Sequence, residues 1–282
     1  RTSVSRIIAI ANQKGGVGKT TTAVNLGASL AVAEQRTLLI DGDPQGNATS
    51  GMGISRDQIS RTVYHALLGE ATLEEVRVRS VQFKHLDVVP ATPDLAGAEV
   101  ELVDRPNRER AMRDAIATLR DEYDYILIDC PPSLGLITLN MLAAADTLLI
   151  PLQCEYYALE GISQLLNTVH LVQKGLNERL VIDGVLLTMY DARLNLSRQV
   201  ATDARASGSL QGDGSISWGG AAGTWFWVDP TNDLMGSGAA FDRKFQADKA
   251  LQHYLPAEKL EPQNVPLLLR IAWSPMMARP YN

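Results

Sequence analysis

The sequence predicts an α/β fold with a mostly parallel, doubly wound sheet and helices on both of its faces. Three observations predict it. Short apolar, β-rich runs alternate with helical stretches from the start of the chain to about residue 205, the pattern of parallel strands joined by crossover helices. A glycine-rich segment directly follows the first run, at the carboxyl end of a strand, where sheets of this class bind ligands. Hydrophobic residues make up 45% of the 282 residues, enough to bury a sizeable core.

The strand-like runs are Ile7–Ala11, Thr37–Ile40, Leu86–Val89, Tyr125–Ile128, Thr147–Pro151 and Val181–Thr188. Helical patterns between them include Thr20–Ala33, Arg108–Arg120 and Leu159–Lys174. No stretch of 18 apolar residues occurs, so no membrane span is expected. With no basic-then-apolar leader, the expected location is cytoplasmic. The two cysteines, Cys130 and Cys154, flank apolar runs and are expected to be buried reduced thiols. A net charge of -6 argues against a general nucleic-acid binder but leaves room for a local basic patch.

The glycine-rich segment reads Asn12-Gln13-Lys14-Gly15-Gly16-Val17-Gly18-Lys19-Thr20-Thr21. Glycines let backbone N–H groups turn toward an anion without a Cβ in the way, and the following helix points its positive end at the same place. This is a P-loop. Lys19 suits the β- and γ-phosphates of a nucleotide and the Thr20 hydroxyl suits Mg²⁺, with Lys14, Gly15, Gly16, Val17, Gly18 and Thr21 completing the cradle. The usual pattern has a glycine six residues before the lysine, where this chain has Gln13.

Lys14-Gly-Gly-Val-Gly-Lys19-Thr20 resembles the deviant Walker A loop of the ParA/MinD superfamily, which includes the nitrogenase iron protein. The resemblance implies a P-loop NTPase fold, ATP and Mg²⁺ as ligands, and a role for Lys14 across a dimer interface, on the partner's ATP phosphates. Asp41-Gly42-Asp43-Pro44-Gln45-Gly46-Asn47, after the second strand, is chemistry that also suits a plain turn. It resembles the superfamily's first switch segment, which implies that Asp43 orients the attacking water and Asp41 supports the metal shell. The superfamily commonly has an apolar residue at the place of Gly42, so a slightly looser strand end is expected here. Asp129 ends the run Tyr125–Ile128. It suits a Walker B metal ligand, or else a cap for the next helix. Pro131–Gly135 resembles the second switch.

Further segments narrow the branch: Asp43–Gly51, Pro90–Ala98, Gln153–Gly161 and Leu187–Arg193 resemble ParA/Soj proteins, and the likeness spans residues 5–203. It implies a slow, partner-stimulated ATP hydrolase of chromosome or plasmid partitioning. It further implies a homodimer on ATP binding, non-specific DNA binding in a nucleoid-associated location, and a ParB-type partner. Glu155 and Tyr156–Gly161 are expected on the dimer face, or in ordinary packing. Arg193 is expected on the DNA surface, with Lys174 and Arg198 as possible neighbours, unless it is simply a solvated arginine. The alternatives are a nucleotide-binding module without turnover and a MinD-type membrane-site-selection ATPase.

The composition changes after about Arg205. A Gly- and Ser-rich stretch, Ala206–Gly214, precedes a segment that holds all four tryptophans. The expected division is an ATPase domain over 1–205 and an unrelated tail over 206–282 with a β-hairpin-like segment, in place of the family's closing strand and helices. Ser215–Leu234, with Trp218-Gly219-Gly220, resembles a late strand pair of the serine β-lactamase and esterase superfamily. Hydrolase activity is not expected from it, because the chain has no S-x-x-K to supply a nucleophile and its lysine. The tail is expected either to be loosely ordered or to patch the open edge of the ATPase sheet with Thr224–Val228.

Overall fold

A computed structural model describes residues 5–155, 158–190, 193–197 and 200, and the strand segments Ser215–Ser217, Trp225–Asp229 and Leu234–Gly238; side chains are described up to residue 155, over 163–190 and 193–197, and at 200. Six strands form the parallel sheet: β1 (Arg6–Ile10), β2 (Thr37–Asp41), β3 (Leu86–Val89), β4 (Tyr125–Asp129), β5 (Thr147–Gln153) and β6 (Val181–Thr188), in the order β3-β2-β4-β1-β5-β6. All six fall within two residues of the runs read from the sequence. The helices are α1 (Lys19–Val32), α2 (Asn47–Gly51), α3 (Val63–Leu67), α4 (Leu73–Val76), α5 (Ala98–Glu101), α6 (Ala111–Ala117), α7 (Leu136–Ala144) and α8 (Ala158–Gly175).

The strands are buried on both faces because alternate side chains serve opposite layers. Ile7 and Ala9 of β1 pack with Leu38, Ile40, Ile126 and Ile128 on one side. Ile8 and Ile10 pack with Leu39, Leu127 and the α1 residues Ala23, Leu26 and Leu30 on the other. Leu26 and Leu30 are fully buried, each contributing about 1.5–3 kcal/mol to docking α1. This packing fixes the start of α1, and so Lys19, against the end of β1.

The helix expected over 108–120 is interrupted. Only α6 is α-helical, with 3₁₀ turns at Arg108–Arg110 and Arg120–Glu122. Asn140, fully buried on α7, explains the first break. Its Nδ2 donates to the Arg108 carbonyl at 2.8 Å and its Oδ1 accepts from the Met112 N–H at 3.2 Å. Those two backbone groups would pair with each other in a continuous helix.

Beyond β6 the sheet continues through β7 (Ser215–Ser217), parallel to β6, and then β8 (Trp225–Asp229) and β9 (Leu234–Gly238), each antiparallel to the strand before it. The strand on the β6 edge is therefore Ser215–Ser217, paired at Leu186 and Leu187. Of the expected patch Thr224–Val228, the described residues Trp225–Val228 lie one strand further out, in β8.

Candidate functional site

The in-register pairing of β1, β4 and β2 puts Ile10, Asp129 and Asp41 side by side at the carboxyl edge of the sheet. The phosphate loop leaves β1 at that edge. Gly16 and Gly18 have φ of 76° and 91°, the left-handed region that glycine enters without strain. A Cβ at Gly15 or Gly16 would meet nothing within 4 Å, so this part of the loop faces open space. The N-terminus of α1 has no side-chain cap and no acidic residue in its first turn, which leaves its N–H groups and positive pole to an anion.

Lys19 is 7% exposed and folds back over the loop, its Nζ donating to the Lys14 carbonyl at 2.9 Å. Burial pushes its pKa down, while Asp129, Cys130 and Asp43 pull it back. Asn12 ties the loop to the end of β5, with Nδ2 donating to the Pro151 carbonyl at 2.6 Å and Oδ1 accepting from the Lys14 N–H at 3.0 Å. The Lys14 side chain forms an ion pair with Glu155, just past β5.

Asp129 is fully buried, and neither of its carboxylate oxygens has a hydrogen-bond partner of normal geometry. Burial, with Asp41 and Asp43 adding, raises its pKa to about 8, against which the Thr20 hydroxyl and Lys19 act only in part. A buried carboxylate without a partner costs several kcal/mol, on the order of the desolvation of one ion. A cation at this point would relieve that cost, so the residues fit Mg²⁺, with Asp129 and the Thr20 hydroxyl as protein donors. Among the described residues no group of three or more His, Cys, Asp or Glu side chains forms a metal cage. One carboxylate, one hydroxyl and nucleotide oxygens is a usual donor set for this ion.

Asp41, expected to support the metal shell, is also held within its own loop. Its Oδ2 accepts from the Thr49 N–H at 2.7 Å and the Thr49 hydroxyl at 2.6 Å, and its Oδ1 from the Asp43 N–H at 3.2 Å. These bonds brace the segment that follows β2. Asp43 is 8% exposed and is held at Oδ1 by the Gln45 N–H at 2.9 Å. Gly42 does not loosen the strand end. Its N–H donates to the Asp129 carbonyl at 2.9 Å, and a Cβ there would lie 2.7 Å from that oxygen and 3.0 Å from Met141 Cε.

Arg193 is exposed just past β6, and Lys174 is exposed at the end of α8. Arg198 and the side chains of Tyr156–Gly161 lie outside the described residues. Cys130 is buried, Cys154 half-buried, and neither forms a disulfide. Burial pushes both thiols up, Cys154 to about 12. Two contributors escaped the sequence reading. Thr188, at the end of β6, donates its hydroxyl to the Val17 carbonyl at 2.8 Å. Glu99 of α5 caps α7 directly after Pro131–Gly135, accepting from the Leu136 N–H at 2.9 Å and the Ile137 N–H at 3.2 Å. The Thr188 bond spans 171 residues, and no local pattern announces it.

The loop, the lysine pair and the strand-end carboxylates define a P-loop nucleotide-binding protein. A sequence profile described as an AAA domain matches residues 5–182. The chromosome partitioning protein ParA of Myxococcus xanthus is 63% identical over 203 residues, covering 72% of this chain and 71% of that protein. The sporulation initiation inhibitor protein Soj of Bacillus subtilis is 57% identical, covering 72% and 79%. Among solved structures, cobyrinic acid a,c-diamide synthase from Mycobacterium smegmatis, with a bound ATP analogue and magnesium, superposes with a TM-score of 0.69. It is 44% identical, covering 72% of this chain and 82% of that one. The chain belongs to the ParA/Soj family of P-loop ATPases.

Proposed function

We propose that the protein is an ATP-driven dimerising switch of chromosome or plasmid partitioning, which binds Mg·ATP, holds DNA without sequence preference as a dimer, and hydrolyses ATP when a ParB-type partner stimulates it. The observation that carries the nucleotide site is the pair of unpartnered, buried oxygens on Asp129 beside Thr20 and Lys19. Lys19, the loop N–H groups and Thr21 bind the phosphates; Thr20 and Asp129 hold Mg²⁺, which supplies charge neutralisation there. Asp43 orients the attacking water, and Asp41 supports the metal shell while keeping Asp43 and Thr49 in place. Phosphate release measured with and without Mg²⁺ tests the assignment: an activity that persists under chelation contradicts it.

Lys14 reaches the partner subunit's phosphates in this proposal. Its pair with Glu155 is about one-third exposed on each side, and exposed pairs of this kind are worth about 1 kcal/mol or less. It can therefore give way when a second subunit and its ATP approach. Lys14→Ala is expected to bind ATP as a monomer but to show no ATP-dependent increase in mass by light scattering. Dimerisation equal to that of the parent would remove the cross-interface role.

DNA binding is assigned to a surface that includes Arg193. The net charge of -6 means that such binding rests on local cations contacting phosphate. Arg193→Ala should weaken binding about equally for all sequences and reduce the slope of log affinity against log salt by about one. An unchanged slope would place Arg193 off the DNA surface. The boundary of the ATPase unit is put near Arg205, supported by the 203-residue span of the relatives' alignments. Among the described residues no helix is long and apolar enough to cross a membrane.

A further inference from the structure

We infer that Thr188 is a positioning residue of the nucleotide site, aiming one phosphate-loop N–H at the bound phosphates from the far strand β6. The inference rests on the phosphate-loop reading above. The Thr188 hydroxyl is buried and donates to the carbonyl of Val17 at 2.8 Å. That carbonyl shares a peptide unit with the N–H of Gly18. The unit is planar and trans, so its C=O and N–H point in opposite directions. Fixing the Val17 oxygen toward β6 therefore fixes the Gly18 N–H away from it.

Gly18 is where such a restraint matters. Its φ of 91° lies in a region where glycine has several conformations within reach, so the preceding peptide can rotate at little cost unless something holds it. The Thr188 methyl closes the other side, with Cγ2 3.5 Å from where a Gly18 Cβ would stand. Thr188 is itself anchored, because it pairs with Gln153 in the sheet and its carbonyl accepts from the Cys154 N–H at 3.2 Å. Asn12 restrains the entry to the loop from β5, and Thr188 restrains its exit from β6. A loop held at both ends binds phosphate without first being ordered.

The test is ATP affinity, measured with a fluorescent ATP analogue, for Thr188→Val and Thr188→Ser. The valine keeps the shape and removes the donor; the serine keeps the donor. Loss of one hydrogen bond that orders the site should weaken binding about fivefold in Thr188→Val, with Thr188→Ser within about twofold of the parent. The rise in melting temperature that saturating ATP produces should shrink in the valine variant, a change that a purely structural role would not produce. Thr188→Cys, a weak donor of similar size, should fall between the two and serves if the valine variant does not melt cooperatively. Parental affinity in Thr188→Val, or equal weakening in Thr188→Ser, overturns the inference. Lys19→Ala, measured alongside, separates the two levels: if it too binds ATP like the parent, the phosphate-loop reading itself is wrong.

Discussion

Replacing Lys19 with alanine should abolish ATP binding at concentrations that saturate the parent. Lys19 is buried, and its ammonium lies among Asp129, Asp43 and the loop, where a nucleotide's β- and γ-phosphates would otherwise gather negative charge without a counter-charge. Truncating one member of a buried, hydrogen-bonded charge pair costs roughly 2–5 kcal/mol, so binding weakens at least about thirtyfold. Titration calorimetry reads the loss directly. The melting curve without ATP guards against misreading an unfolded variant, since among the described residues the Lys19 side chain donates only to the Lys14 carbonyl. Saturable binding with parental affinity would refute the assignment.

Asp43→Ala should separate binding from turnover. Among the described residues the side chain meets the backbone only at the Gln45 N–H, so its loss leaves the phosphate cradle, Thr20 and Asp129 in place. Turnover should fall by about 10²-fold or more, the usual scale for removing a group that positions or deprotonates a nucleophile. Single-turnover hydrolysis with the protein in excess over ATP, with binding measured in parallel, distinguishes the two steps. If the variant hydrolyses ATP at the parental rate, Asp43 is a turn residue and the water is oriented elsewhere.

Much of this site was legible because its chemistry is local in sequence. The phosphate loop places its glycines and lysines within ten residues, and Asp129 follows an apolar run whose full burial could be read from Tyr125-Ile-Leu-Ile. The strands were legible for the same reason: a segment buried on both faces carries its own signature. Helix α7 was not. Leu136–Ala144 is apolar on almost every side and seven of its nine residues are buried, so it has no polar face to mark a helical period. The break before α6 depends on Asn140, about thirty residues away in sequence. The brace from Asp41 to Thr49 and the Thr188 bond depend on side chains meeting only once the sheet has formed. Composition and spacing point to groups that act; groups that hold them still are chosen by tertiary contact.

Gly42 carries a consequence for how this sequence can change. An alanine's Cβ at this place would press on the Asp129 carbonyl at 2.7 Å and on Met141 Cε at 3.0 Å. The methionine can swing aside, whereas the carbonyl belongs to the strand that presents the Asp129 carboxylate. Positions 42, 129 and 141 therefore form one unit of substitution. A larger residue at 42 is accessible only after the ends of β2 and β4 separate slightly, with a different side chain at 141 filling the gap. The order of those steps matters: the change at Met141 must come first, because made alone it leaves a small void, while the change at Gly42 made alone displaces the floor of the site.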